Sequence, residues 1–137
     1  MEIEYPNKIV VRDGVYISPQ NSSAVPTIVF TGEKQKLYTL IMLDPDAVGG
    51  TRIHWLVVNL SVHDNTVIFP YNGPHPPQGT GNHHYYFALL EQENKVPIPR
   101  PKFTNRYENI HTVFRKLGLS CGCKILDTKY FVSAAQK

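Results

Sequence analysis

Leu37-Tyr-Thr-Leu-Ile-Met-Leu-Asp-Pro-Asp-Ala47 is the stretch that decides how this chain folds. It opens on an almost unbroken apolar run, far shorter than the ~20 residues a membrane span needs. Five residues later, Ile53-His-Trp-Leu-Val-Val-Asn-Leu60 repeats the pattern. Short apolar runs of this kind suit central strands covered on both faces. Working outward, Lys8–Val11, Thr27–Phe30, Thr66–Phe69, His84–Glu91 and Lys124–Val132 have a similar make-up and are predicted strands, with Leu37–Leu43 and Ile53–Leu60 at the centre. Eleven prolines and nine glycines cut the chain into these pieces, as expected of an all-β domain. One segment has helical spacing instead: Tyr107, Ile110, Val113, Phe114 and Leu117 fall on one stripe. Thr104 or Asn105 is the expected cap at its start, and Gly118 the left-handed residue at its end. Arg115 and Lys116 in the last turn oppose the negative end of the helix dipole.

The chain has 137 residues, which fits a single domain over 1–137 that buries roughly two-thirds of its unfolded surface. Its N-terminus is acidic and has no apolar core of a signal peptide, so none is expected. Two cysteines one residue apart, Cys121 and Cys123, make no disulfide framework, and a cytoplasmic chain is expected. Their place is read as a turn entering a strand. The net charge of +3 hides an asymmetry. Residues 1–94 carry five Lys/Arg against nine Asp/Glu, whereas 95–137 carry nine against two. That basic third either favours phosphate-bearing or acidic partners or is a solvated face.

Two polar connections adjoin strand ends that carry histidines. Asp44-Pro-Asp-Ala-Val-Gly-Gly-Thr51 follows the first apolar run, and Tyr71-Asn-Gly-Pro-His-Pro-Pro-Gln-Gly-Thr-Gly-Asn82 precedes His83. Three prolines and three glycines make the second loop stiff yet able to approach another group closely. If the strands are neighbours, Asp44, His54 and His83 converge at one end of a sheet. Imidazoles beside free loop N–H groups form an anion site, and a carboxylate holds one ring in a fixed tautomer. Each histidine taken singly reads equally well as a packed strand residue.

Other chemistries lack their signatures. His83 and His84 are consecutive in a strand and point to opposite faces, and no His-x-Glu, His-Glu-x-x-His or second cysteine pair exists. No metal and no cofactor are therefore expected. There is no Gly-x-Ser-x-Gly elbow, Ser61 sits in an apolar strand, and Asp44 and Asp46 around Pro45 match no catalytic template. Arg100, Lys102, Arg106, Arg115 and Lys116 come with Phe103, Tyr107 and Phe114, but two of those aromatics belong to the helix stripe and no nucleic-acid motif accompanies them. Nucleic acid is not an expected partner.

Three blocks in order carry a family resemblance: 37–47, His54-Trp-Leu-Val-Val-Asn59, and Tyr71 through His83-His-Tyr85, with Phe87 and Gln92. Over about 26–137 the chain resembles the phosphatidylethanolamine-binding proteins, which include kinase-inhibitor and flowering-regulator members. The resemblance implies an antiparallel β-sandwich with a few short helices. It implies a pocket for phosphate-type anions, such as a phosphoethanolamine headgroup or a phosphorylated side chain, lined by Asp44, His54, Gly73, Pro76, His83 and Tyr85. Val48 stands where the family has proline, the connection 48–52 is short, and His84 replaces an arginine, which makes any ion pair there pH-dependent. His75 adds a third imidazole at the mouth. Longer members carry a C-terminal helix whose tyrosine covers the pocket; here that lid is expected to be short or absent and the site more open.

The resemblance thus implies a non-catalytic, monomeric binding module whose affinity for phosphate esters falls as pH rises through the histidine pKa. The alternative is a signalling regulator that inhibits a kinase or protease through the basic 95–137 surface, its pocket vestigial. An enzyme acting on phosphate esters lacks a visible nucleophile or metal set.

Overall fold

A computed structural model describes residues 1–97, 102–119 and 124–136. Its elements in chain order are β1 (Glu2–Tyr5), β2 (Ile9–Val10), β3 (Val15–Tyr16), β4 (Thr27–Val29), β5 (Tyr38–Asp44), β6 (Arg52–Leu60), β7 (Thr66–Phe69), β8 (His83–Glu91), α1 (Ile110–Lys116) and β9 (Lys124–Ser133). The two apolar runs pair with each other at the centre of a six-stranded sheet, in the order β3-β9-β8-β5-β6-β7. A second sheet, β2-β1-β4, lies over one face. Met42, Tyr85, Phe87 and Phe131 of the large sheet pack there against Ile3 and Tyr5 of β1. On the opposite face Ile41, Leu56, Val58 and Leu90 pack against Val113 and Phe114 of α1 and Leu117 at its C-terminal cap. Burial on both faces explains why β5 and β6 read as continuous apolar runs rather than alternating ones. Among the described residues, no helix is long and apolar enough to cross a membrane.

The sandwich differs from the sequence reading in three places. All neighbours pair antiparallel except β3 and β9, which run parallel with Val15 opposite Phe131. Strands β1 and β3 have no counterpart among the predicted strands. The first alternates Glu2 and Glu4 with buried Ile3 and Tyr5, and the second is only two residues long. The helix is capped by Asn109, whose side chain accepts from His111 N, and not by Thr104 or Asn105. Asn105 instead accepts from Tyr107 N in a local turn, which leaves Tyr107 outside the helix and exposed. Gly118 does adopt φ +80°, the left-handed conformation that ends a helix. Cys121, Cys123 and Arg100 lie outside the described residues.

A break in the β5–β6 register sets the direction of one histidine. Met42 pairs with Trp55 and Leu43 with Ile53, so one step on β5 matches two on β6 and His54 is the extra residue of a bulge. A bulge turns the residues beyond it over to the other face. Ile53 thereby joins Leu56 on the helix side, and His54 turns towards Tyr85.

Candidate functional site

Asp44 at the end of β5, His83 and Tyr85 at the start of β8, and the bulged His54 all line one cavity of about 230 Å³. On β5 and β8 this follows from pairing: residues at alternate positions, Met42 and Asp44 or His83 and Tyr85, share a face. His83 Nδ1 donates to Asp44 Oδ2 at 2.8 Å, with both side chains buried. The other Asp44 oxygen accepts from Asp46 N at 2.8 Å, an Asx turn that fixes the carboxylate. His84 points the other way and meets Asp46 on the surface, Nδ1 to Oδ2 at 2.7 Å. His84 N also donates to Asp46, and these bonds hold its carboxyl below the usual range. Successive histidines on opposite faces each have their own carboxylate.

His54 is held differently. Its Nδ1 donates to Asn72 O at 2.6 Å, and its backbone carbonyl accepts from Asn72 N at 2.9 Å. Arg106 tightens the same spot by donating to the carbonyls of Ile53 and His54, both at 3.1 Å, and of Pro70 at 2.9 Å. His54 is 2% exposed, and its Nε2 has no hydrogen-bond partner among the described residues. Burial, reinforced by the charges of Arg52 and Arg106, pushes its pKa from 6.5 down to about 4. The ring is therefore neutral at physiological pH and supplies no positive charge there. The tyrosine across from it is also kept neutral: burial first, then the Asp44 charge, raises the Tyr85 hydroxyl above its ordinary value.

The long loop contributes side chains more than backbone. Its cavity-lining residues include His75, Pro76 and Pro77. The two prolines carry no N–H, and the Asn72 N–H is engaged by His54. The expected cradle of free amides is thus reduced. Gly73 is not among the lining residues; a Cβ there would come within 2.8 Å of Ser22 O, so glycine lets two backbone segments touch behind the pocket. The loop's turn closes over His83: Thr80 Oγ1 lies 2.8 Å from Nε2 and donates to Pro77 O at 2.7 Å. Both nitrogens of His83 are therefore engaged within the chain.

Arg52 and Thr80, like the Asn72 that holds His54, were not singled out from sequence. Arg52 lines the cavity, lies 5.5 Å over the Tyr107 ring, and makes no carboxylate ion pair among the described residues. The signal was its place two residues before His54, the same-face spacing of a strand. Thr80 carried no such signal. The basic C-terminal third is partly engaged: Arg106 serves the backbone as above, and Lys116 pairs with Glu108 at 2.7 Å. Val48 and His75 both border the cavity.

Known proteins share this arrangement of strands. The family model described as phosphatidylethanolamine-binding protein matches residues 7–120. The chain is 29% identical over 126 residues to Protein MOTHER of FT and TFL1 homolog 2 of Oryza sativa subsp. japonica, covering 80% of this chain and 70% of that protein. It is 27% identical over 123 residues to a Drosophila melanogaster protein named among the odorant-binding proteins (A5), covering 83% of this chain but only 59% of that relative's length. Among solved structures, carboxypeptidase Y inhibitor, in complex with its cognate proteinase, superposes with a TM-score of 0.77 at 17% identity, covering 98% of this chain and 82% of that one. The phosphatidylethanolamine-binding protein from Plasmodium vivax gives 0.77 at 21% identity, covering 98% and 84%. At those identities the likeness is one of fold. A family match over residues 7–120 together with the two-sheet sandwich places the chain plainly: it belongs to the phosphatidylethanolamine-binding protein family.

Proposed function

We propose that the chain is a non-catalytic binding module that recognises a phosphate-type anion in the cavity bounded by Asp44, His54, His83 and Tyr85. The observation that carries this reading is the meeting, in one small cavity, of Arg52 without a carboxylate partner and a buried His54 nitrogen without a hydrogen bond, both among the described residues. Arg52 supplies the charge. Pro76 and His75 rim the opening, and Gly73 keeps the loop in place. Charge on His54 plays no part near neutral pH, which revises the pH dependence expected from the sequence. The test is a two-dimensional NMR titration with inorganic phosphate and with O-phosphorylethanolamine. Saturable shifts confined to residues around the cavity are expected, and their absence at millimolar ligand would sink the reading.

Two variants sharpen it. Arg52→Gln removes a charge-assisted bond worth about 1.5–3 kcal/mol and should weaken anion binding roughly 10- to 100-fold. Thr80→Val removes the hydroxyl that faces His83 Nε2 and should change anion affinity by roughly 2- to 10-fold, the worth of one neutral hydrogen bond. Unchanged affinity in Thr80→Val would mean that the ligand does not use His83.

A protein partner is the second reading, favoured by the shared fold with an inhibitor solved on its proteinase. Lys102 is exposed, and with Arg100, which lies outside the described residues, it is the part of the basic third that the sequence singled out for a partner contact. Loss of a partner in Lys102→Glu with anion binding intact would favour this second role.

A further inference from the structure

We propose that this site takes an oxyanion that carries its own hydrogen, the chemistry of hydrogen phosphate and of a singly protonated phosphomonoester, and discriminates against oxyanions that have none. The proposal rests on the anion-pocket reading above and narrows it. A backbone carbonyl can only accept, so the 2.6 Å contact with Asn72 O assigns the proton of neutral His54 to Nδ1. Nε2 is then a bare lone pair, buried and without a partner among the described residues. A deprotonated oxygen brought against it meets a second acceptor, and both stay unsatisfied. A P–OH group donates to it.

The surroundings reinforce this division. The charged and strongly polar groups nearest His54, which are Arg52, Asp44 and His83, are donors or are already engaged. Arg52, from the same strand, can only donate. Tyr85 on β8 stays a neutral hydroxyl. His83 on β8 has both nitrogens bonded, to Asp44 and Thr80. The remaining ionisable neighbours are His75 of the loop and Tyr107 at the cavity wall, with Arg106 behind His54 on its carbonyl. Arg52 and Arg106 both disfavour a charge on His54, and Asp44 only partly offsets them. A fully deprotonated oxyanion therefore binds with Nε2 left unsatisfied, or with a proton taken up from solvent, which burial disfavours.

The test compares four small anions on the intact chain by calorimetry at about pH 5.5, below the monoester's second ionisation. Phosphate and sulfate are matched in shape; in this range phosphate carries hydrogen on its oxygens and sulfate carries none. O-phosphorylethanolamine and glycerophosphoethanolamine separate a monoester from the diester of a lipid headgroup. Phosphate and O-phosphorylethanolamine should each bind roughly tenfold or more tighter than sulfate and the diester, whose oxyanion oxygens carry no hydrogen, the cost of leaving one buried acceptor unsatisfied. Affinity for the monoester should fall as pH rises past its second ionisation near pH 6. His54→Asn keeps the donation to Asn72, because its amide nitrogen takes the place of Nδ1, and deletes Nε2. It should reduce both preferences to less than about twofold. Sulfate binding as tightly as phosphate, the diester matching the monoester, or affinity rising with pH would each overturn the proposal while leaving an anion pocket standing. No binding by any of the four would overturn the pocket and this proposal together.

Discussion

Acidification from about pH 6.5 to about pH 4 should cost the native chain roughly 3 kcal/mol of stability, and most of that loss should vanish in His54→Asn. The folded ring has its pKa depressed to about 4 from 6.5, with burial the first cause. Between those two values the unfolded chain binds a proton at this position and the folded chain does not. Stability therefore rises with pH through this window and is lost as pH falls through it. His54 is 2% exposed, so the shift needs no discount for solvent screening. Asp46 acts separately and lower. Its carboxyl is held below 3.8 by the His84 N–H, so its contribution is lost only as pH falls through the carboxylate range. Urea unfolding at a series of pH values distinguishes the two. A native chain as stable near pH 4.5 as near pH 7 would refute the assignment of His54 as a neutral, buried ring.

A loss of about 2–6 kcal/mol is expected for Gln92→Leu, with no change at the anion site. Gln92 directly follows β8, at the end of that strand far along the sheet from the cavity, and is 7% exposed. Its Oε1 accepts from Thr39 Oγ1 and from Asn59 N, each at 2.8 Å. Its Nε2 donates to Asn59 Oδ1 at 3.0 Å and to Asn94 O at 3.1 Å. Asn59, in a left-handed conformation at φ 54°, then bonds Val96 through both its side-chain atoms. Leucine fills the volume but orphans two buried donors, each costing about 1–3 kcal/mol. Thr39→Val, which leaves Gln92 Oε1 with its second donor, should cost only about 1 kcal/mol. Denaturant midpoints for the two variants check the order; equal losses would mean the network does not act as a unit.

Much of the fold was written along the chain. The apolar runs around Ile41 and Val57 determined central strands, because only burial on both faces makes continuous hydrophobicity stable in a sheet. The stripe of Val113, Phe114 and Leu117 determined a helix, and Gly118 its end. The histidine pair 83–84 could be split between two faces from spacing alone, and each ring has its own aspartate as that implies. The three family blocks, and with them Asp44, His83 and Tyr85, were equally legible.

The arrangement that folding alone decided lies around the β5–β6 bulge. On unbroken alternation from Trp55, His54 would share a face with Leu56 against the helix, away from Asp44 and Tyr85. One extra residue in β6 reverses that, and nothing in Ile-His-Trp announces where a ladder will slip. The slip depends on partners distant in sequence: Asn72 holding the ring and carbonyl of His54, and Arg106 gripping the carbonyls on either side of the turn-over. The charge state follows from the same event. A histidine's proton is set by its surroundings, and burial beside two arginines, which only the assembled sandwich provides, turns an expected cation into a neutral acceptor.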